Sequence, residues 1–157
     1  MRSTSINHER EFTRFVKETE PRLSYALAAA YGIEIGAEAT ADALAWAWEH
    51  WSKVQEMNNP AGYLYRVGQS KARRHFRPVV LFPVVPSFEA PMVSPDLHTA
   101  LAGLSKNQRV AAVLIHGLEY TEREVADLLG ISRWSVRTHA ERGLTKLKNE
   151  LEVAIDV

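Results

Sequence analysis

Cysteine is absent from this chain of 157 residues. Its absence excludes disulfides, thiolate zinc sites and cysteine nucleophiles, and it fits a reducing cytoplasm. The chain also lacks an uninterrupted run of about 18 apolar residues, the length that a membrane-spanning helix needs. Its first residues, MRSTSINHEREF, contain no apolar core like that of a signal peptide. We therefore expect a cytoplasmic protein without membrane insertion.

Signatures of catalysis are missing as well. The six histidines show none of the paired spacings that metal ligands have. Neither a glycine-rich phosphate loop nor a nucleophile motif is present. We predict that the chain is not an enzyme and that it has no catalytic residue, no metal site and no cofactor.

An excess of either charge is also absent, since 19 basic residues balance 19 acidic ones. The charges are nevertheless segregated along the chain. The segment from Glu9 to Glu56 has nine acids against five bases, a difference of four negative charges, whereas Arg66 to Arg77 has five bases and no acid. Such segregation indicates different partners for different surfaces.

What is present is a helix-turn-helix pattern in TEREVADLLGISRWSVRTHAER, residues 121–142. Ala126 is small enough for a close crossing of two helices, and Gly130 follows where the first helix stops in a left-handed conformation. Ser132 offers an oxygen to the free N–H groups of the next helix. Val136 then faces back toward the apolar residues of the first helix. The small, glycine and branched positions all agree with this motif.

The second helix of the motif is predicted from about Arg133 to Glu150, and through Lys148 it carries five bases against the single acid Glu141. A basic second helix is typical of a recognition helix in the DNA major groove. The alternative is an ordinary tight helical hairpin with a solvated basic face.

Apolar spacing predicts only helices elsewhere, so the fold class is all-α with two small domains joined by a proline-rich linker. Residues 78–95 hold five of the seven prolines. A short edge strand over 79–85 is the alternative for part of this linker. The predicted domains are 1–77 and 97–157, with the linker at 78–96. The predicted helices are a segment around Phe12 to Val16, one from Pro21 to Gly32, one from about Gly36 to Val54, one from Asn59-Pro60 to about Arg77, and two over 97–104 and 108–116.

The predicted helix from Gly36 to Val54 has two faces. An apolar stripe is assigned to the core and comprises Ala37, Ala41, Leu44, Trp48 and Trp51. On the opposite side, Glu38, Asp42 and Glu49 surround Trp46. A tryptophan among carboxylates indicates a protein partner. Packing of Trp46 under the amino-terminal helix, with the acids as a plain solvated face, is the alternative.

The helix that begins at Asn59-Pro60 combines aromatic residues with bases. Rings next to cations suit single-stranded nucleic acid, because bases stack on the rings while the cations hold phosphates. The preceding loop, residues 55–59, supplies amides that can contact a base edge. The alternative is that Tyr63 and Val67 belong to the core and that the arginines serve solubility.

These segments together resemble a bacterial RNA polymerase sigma factor of the extracytoplasmic-function (ECF) type of the sigma-70 family. EATADALAWAWEHW (38–51) and NPAGYLYRVGQSKARR (59–74) resemble the family's region 2, within residues 12–77. Residues 101–151 resemble region 4. The resemblance implies core RNA polymerase and promoter DNA, duplex and melted, as partners, with an anti-sigma factor as a further candidate.

The resemblance also implies roles for individual residues. The polymerase-binding set is Glu38, Asp42, Trp46 and Glu49. The set that captures unpaired bases of the minus-ten element is Lys53, Asn58, Asn59, Tyr63, Arg66, Ser70, Arg73, Arg74 and Arg77. The set that contacts the duplex minus-thirty-five element is Arg133, Ser135, Arg137, Thr138, His139 and Arg142.

Four positions depart from the family pattern. Ala41 replaces a usual glutamine, Ser70 a usual asparagine and Arg74 a usual aspartate, while His139 replaces an apolar or basic residue. Ala41, Ser70 and Arg74 keep open the alternative of a degenerate sigma-like adaptor that binds polymerase without initiating transcription. The other alternative is a helix-turn-helix transcriptional regulator of the response-regulator output type, whose DNA-binding half has a similar hydrophobic pattern.

Overall fold

The computed structural model describes residues 2–75 and 95–155, and all regular structure within these ranges is helical. This confirms the all-α class. The predicted linker up to residue 94, the alternative strand over 79–85 and Arg77 lie outside the described residues. The helices are α1 (Arg2–Tyr31), α2 (Ile33–Glu49), α3 (Trp51–Val54), α4 (Pro60–His75), α5 (Pro95–Ala102), α6 (Lys106–Ala112), a π-helical turn (Val113–Gly117), α7 (Glu122–Leu129) and α8 (Arg133–Ile155).

Helix α1 runs without interruption through Pro21, so the predicted break at this proline is wrong. A proline removes one helical hydrogen bond, but packing holds the helix on both sides of it. Phe12 packs against Trp51, with ring centroids 5.3 Å apart, and Leu23 is fully buried. The predicted stop is confirmed: Gly32 has a φ of 96°, which costs a glycine little.

Helix α2 is divided from α3 by His50 rather than continuing to Val54. The predicted core stripe is also wrong, because of its five members only Trp51 is buried and Trp48 is 47% exposed. The buried face of α2 is instead made of small residues: Gly36, Ala39, Thr40, Ala43 and Ala47.

The reason for this face is the close approach of α1. A Cβ at Gly36 would stand 2.6 Å from the backbone of Ala28, far inside van der Waals contact. Because the two backbones lie so close, side-chain size rather than hydrophobicity decides which face of α2 turns inward.

Helix α4 starts as the sequence predicts. The Asn59 Oδ1 accepts a hydrogen bond from the Gly62 N–H at 3.1 Å, and Pro60 is the first helical residue. This is the usual chemistry of a helix N-terminus, where the free N–H groups need an acceptor and proline lacks the hydrogen that would go unused. Helix α4 packs on α2 and α1.

The carboxy-terminal half begins with α5, and α6 follows a capping box between Ser105 and Gln108. The helices predicted at 97–104 and 108–116 are present with shifted ends, the second one finishing as the π-helical turn. Helix α6 packs on α8. A Cβ at Gly143 would stand 3.0 Å from the Gln108 carbonyl oxygen, so this crossing is also close.

One core extends through both halves. Buried residues of α1, α2 and α4 form a single cluster with Val110, Leu114, Val125, Leu128 and Val136 from the carboxy-terminal half. A smaller cluster lies under α5, made of Ala100, Leu101, Leu104, Ala112 and Leu147. The two halves therefore pack directly against each other in this structure, while the boundaries at 77 and 97 stay predictions.

Candidate nucleic-acid interface

The helix-turn-helix has the geometry that its sequence predicts. Gly130 adopts the left-handed conformation at φ 68°, and its N–H donates to the Ala126 carbonyl at 2.9 Å. Ser132 Oγ accepts from the Ser135 N–H at 3.1 Å and so caps α8. Val136 is fully buried in the same cluster as Val125 and Leu128. Thr121, which the sequence analysis did not single out, caps α7 by accepting from the Glu124 N–H.

The predicted contacts on α8 differ in accessibility. The three arginines of the set, Arg133, Arg137 and Arg142, are exposed, whereas Ser135, Thr138 and His139 are partly buried. Ser135 Oγ accepts a hydrogen bond from Ser132 Oγ at 3.0 Å. The arginines are thus the side chains most open to a phosphate or a base edge.

Arg137 is held by a partner of its own half. Its Nη2 lies 3.0 Å from Glu122 Oε2, and its Nε donates to both carboxylate oxygens. The hydrogen bond and the charge of Arg137 lower the pKa of the Glu122 carboxyl, and the same carboxylate raises the pKa of the Arg137 guanidinium. Both groups therefore stay charged at neutral pH, and Glu122 aligns the guanidinium at the edge of the recognition helix.

The most exposed large apolar side chain among those described is Trp134, at 70%. It is the second residue of α8, between Arg133 and Ser135. Trp134 is not among the predicted contacts because it belongs to neither the apolar packing pattern nor the basic pattern. Its position in the first turn of a predicted recognition helix was the available signal.

The predicted minus-ten set surrounds the start of α4. Lys53, Asn58, Asn59, Tyr63 and Arg66 are exposed there, and Ser70, Arg73 and Arg74 are exposed further along the helix. Tyr63 lies against Trp46 with ring centroids 5.3 Å apart. The structure thus brings most of the set to one side of the amino-terminal half.

This surface touches the helix-turn-helix. The Asn59 Nδ2 donates to the Asp127 carbonyl on α7 at 2.6 Å. A cleft of about 140 Å³ lies beside this contact and is lined by residues of both halves, Asn59, Gly62, Tyr63, Arg66 and Gly130. A Cβ at Gly62 would stand 2.6 Å from the Asp127 carbonyl oxygen. In this arrangement the start of α4 contacts α7, the first helix of the helix-turn-helix.

The predicted polymerase-binding set has three exposed carboxylates, Glu38, Asp42 and Glu49. Trp46 is partly buried and stacks on His50, with ring centroids 4.3 Å apart. Its ring also contacts that of Tyr63 on α4. Trp46 therefore lies between the carboxylates of α2 and the Tyr63 ring at the start of α4.

Arg109 is the residue that sequence reasoning missed most completely. Its side chain is buried, and its guanidinium donates to the Ala30 carbonyl at 2.9 Å, to the Leu104 carbonyl at 3.0 Å and to the Ala29 carbonyl. Burial lowers the pKa of Arg109. Two of these acceptors lie at the C-terminal end of α1, where unpaired carbonyls and the helix dipole attract a cation. An arginine on the same helical face as Ala112 and Val113 was the only signal in the sequence.

The charge, turn and cap geometry of the carboxy-terminal half agree with a family comparison. Residues 95–147 match the sigma-70 region 4 family. The match includes the helix-turn-helix and most of α8 and covers about a third of the chain. A sequence search of the curated proteins finds no match.

A solved structure shares the fold of most of the chain. It is the sigma factor RpoE from Bartonella quintana in complex with the anti-sigma factor NepR, with a TM-score of 0.67 and 20% sequence identity. The alignment covers 92% of this chain and 98% of that one, so it extends beyond region 4 into the amino-terminal half. The predicted resemblance thus has two supports, a region 4 match over residues 95–147 and a fold shared with a solved ECF-type sigma factor.

Membrane-spanning helices and metal-binding groups are two further features to consider. In residues 2–75 and 95–155, no helix combines the length and the apolar character that crossing a membrane requires. Over the same part of the chain, histidines and carboxylates form no group of three or more that could hold a metal ion.

Proposed function

We propose that this chain is a sigma factor that directs core RNA polymerase to promoters, with its region 4 domain on the duplex minus-thirty-five element. The observation that carries the proposal is a region 4 domain whose recognition helix presents exposed arginines, set on the fold of an ECF-type sigma factor. Arginine is suited to this task because its planar guanidinium contacts both phosphates and the guanine edge.

The amino-terminal half would supply the second contact. Exposed amides and cations of 53–59 and α4 lie beside the Trp46 and Tyr63 rings, a combination that holds unpaired bases by stacking and phosphates by charge. The exposed carboxylates of Glu38, Asp42 and Glu49 lie on α2 and would face core polymerase. The minus-ten and polymerase residue sets are both proposals of this kind.

Binding both elements requires the halves to separate. The two elements lie about 25 base pairs apart, which is roughly 85 Å of duplex. In the described arrangement Asn59 contacts Asp127, which precedes Arg133 by six residues and hence by at most roughly 20 Å. We infer that the packed arrangement belongs to the free protein and that the halves part on the promoter.

An anti-sigma partner is part of the proposal, because the relative of similar fold is bound to the anti-sigma factor NepR. A partner of this class would hold the chain away from core polymerase. A purified candidate tests this directly: it should form a stable complex with the chain and reduce the amount that core polymerase retains. A candidate that leaves polymerase binding unchanged is not such a partner.

Reconstitution tests the main proposal. The purified chain is mixed with core RNA polymerase, co-purified, and used in run-off transcription on genomic fragments. A sigma factor gives discrete transcripts that core polymerase alone does not make. Co-purification without transcripts would identify the adaptor alternative, and duplex binding without polymerase affinity would identify the regulator alternative.

A further inference from the structure

Trp134 stands apart from the other three tryptophans of the chain. Trp46, Trp48 and Trp51 each contact other rings in the amino-terminal half. None of the ring contacts between described residues involves Trp134, which is 70% exposed. Burial of the large apolar surface of a tryptophan is favourable. Within this chain most of the Trp134 surface stays unburied.

The direction in which the Trp134 side chain points follows from its position on α8. The buried stripe of α8 contains Val136, Ala140 and Gly143, and at about 100° per residue Trp134 lies about 160° from Val136. Arg137 lies only about 60° from Trp134 on the same projection. Trp134 therefore belongs to the outward face of α8, together with the exposed Arg137.

The start of α8 also fixes where this ring is placed. Ser132 caps the helix through the Ser135 N–H at 3.1 Å, and Gly130 fixes the turn before it. Residues in the first turn of a recognition helix are those that approach base edges. An indole ring there has no acceptor, and its broad face suits the only apolar group on a major-groove edge, the 5-methyl of thymine.

We propose that Trp134 reads a thymine in the upstream element through apolar contact with its 5-methyl group. This inference rests on the proposed function, since it assumes that α8 enters duplex DNA. The neighbouring cations favour DNA over a protein partner: Arg133 and Arg137 flank the ring and suit a phosphate backbone. Trp134 would then set sequence preference, and the arginines would set general affinity.

The test begins with the holoenzyme, reconstituted from core polymerase and the full chain. Duplexes enriched from a random library define the preferred upstream element. Each thymine of that element is then replaced singly by deoxyuridine, which keeps every hydrogen-bonding group and removes only the methyl. Binding is measured for the wild type, Trp134→Ala and Trp134→Phe.

The expected result is a loss of about fourfold in wild-type affinity at one thymine, the value for burial of a single methyl group. Trp134→Ala should bind the two duplexes equally, and Trp134→Phe should retain the preference. Arg133→Ala should weaken binding to both duplexes alike. Trp48→Ala, a half-exposed tryptophan of the other half, is the matched control and should keep the wild-type ratio.

Three results would overturn this inference and leave the proposed function intact. They are no thymine sensitive to loss of its methyl, an unchanged ratio of thymine to deoxyuridine affinity in Trp134→Ala, or unchanged DNA binding by Trp134→Ala accompanied by weaker binding to core polymerase. The last would assign Trp134 to a protein contact. Failure to enrich any duplex would overturn the proposed function and this inference with it. Thermal unfolding of Trp134→Ala should match the wild type, because the ring is so exposed.

Discussion

The two halves of the molecule present their candidate DNA surfaces differently. In the carboxy-terminal half, the recognition helix α8 turns Arg133, Trp134 and Arg137 toward solvent. In the amino-terminal half, the start of α4 is engaged with α7 through the bond from Asn59 to the Asp127 carbonyl. In this arrangement the first surface is free to meet a duplex, whereas the second is partly occupied by the same chain.

The contact between the halves differs in chemistry between its two ends. At one end Arg109 is buried and bonded to three carbonyls, two of them on α1. At the other end Asn59 makes one hydrogen bond from an exposed position. Exposed single bonds contribute little, whereas a buried charge that loses its partners is costly. The Asn59 end should therefore open more easily than the Arg109 end.

The largest expected effect comes from Arg109→Ala. This change removes three charge-assisted hydrogen bonds and leaves the Ala30 carbonyl without a donor, so we expect a loss of roughly 3 kcal/mol in the free energy of unfolding. Urea unfolding measures it, with the exposed Arg14→Ala on α1 as the control. A loss no larger than that of the control would mean that Arg109 does not hold the halves together.

A smaller loss is expected from Gly36→Ala, which tests the core of the amino-terminal half alone. The new Cβ would stand 2.6 Å from the Ala28 backbone, and overpacking of this kind costs about 2 kcal/mol. Gly117→Ala is the matched control, because nothing lies within 4 Å of its Cβ. Equal thermal stability of the two variants would contradict the close crossing of α1 and α2.

Two substitutions of Asn59 distinguish its cap of α4 from its contact with the other half. Asn59→Ala removes both and should cost about 1 kcal/mol, the usual value of a helix cap. Asn59→Asp keeps the cap acceptor but cannot donate to the Asp127 carbonyl. It should therefore keep most of the stability while loosening the contact between α4 and α7.

Energy transfer measures that loosening. The chain has no cysteine, so dyes at Ser52→Cys and Thr145→Cys, both exposed, label one site in each half. Asn59→Asp should lower the transfer efficiency relative to the wild type. Equal efficiencies in the two proteins would show that this bond does not hold the start of α4 against α7.

The smallest effect is expected from Glu122→Gln, which releases Arg137 within the carboxy-terminal half. A freed guanidinium and one fewer negative charge should strengthen duplex binding and steepen its salt dependence by about one unit of slope. Arg137→Ala should make the slope shallower. Identical slopes in the three proteins would exclude a phosphate contact by Arg137.

The same pair predicts a pH effect with a definite sign. The pKa of Glu122 is lowered in the folded protein, so its contribution to stability is present above the ordinary value of 4.5 and is lost as the pH falls through the folded pKa. The difference in melting temperature between the wild type and Glu122→Gln should therefore shrink below pH 4.5. A difference that stays constant down to about pH 3 would contradict the pair.

Local signals account for what could be predicted. Caps and glycines act within a few residues of chain, so Asn59, Gly32, Gly130 and Ser132 marked their helix ends correctly. Pro21 and the face of α2 were predicted wrongly, because their outcome depends on how closely the backbone of α1 packs against other helices, α2 among them. Arg109 was missed for the same reason, since two of its three acceptors lie 79 and 80 residues away.

The sequence by itself determined the helical class, the helix-turn-helix and the basic character of its second helix, because spacing, capping and charge are local properties. Only the tertiary structure decided which face of α2 is buried, which tryptophan stands free and how the halves meet. These depend on the distance between backbones and on a buried guanidinium that reaches carbonyls of another helix. No local pattern carries that information.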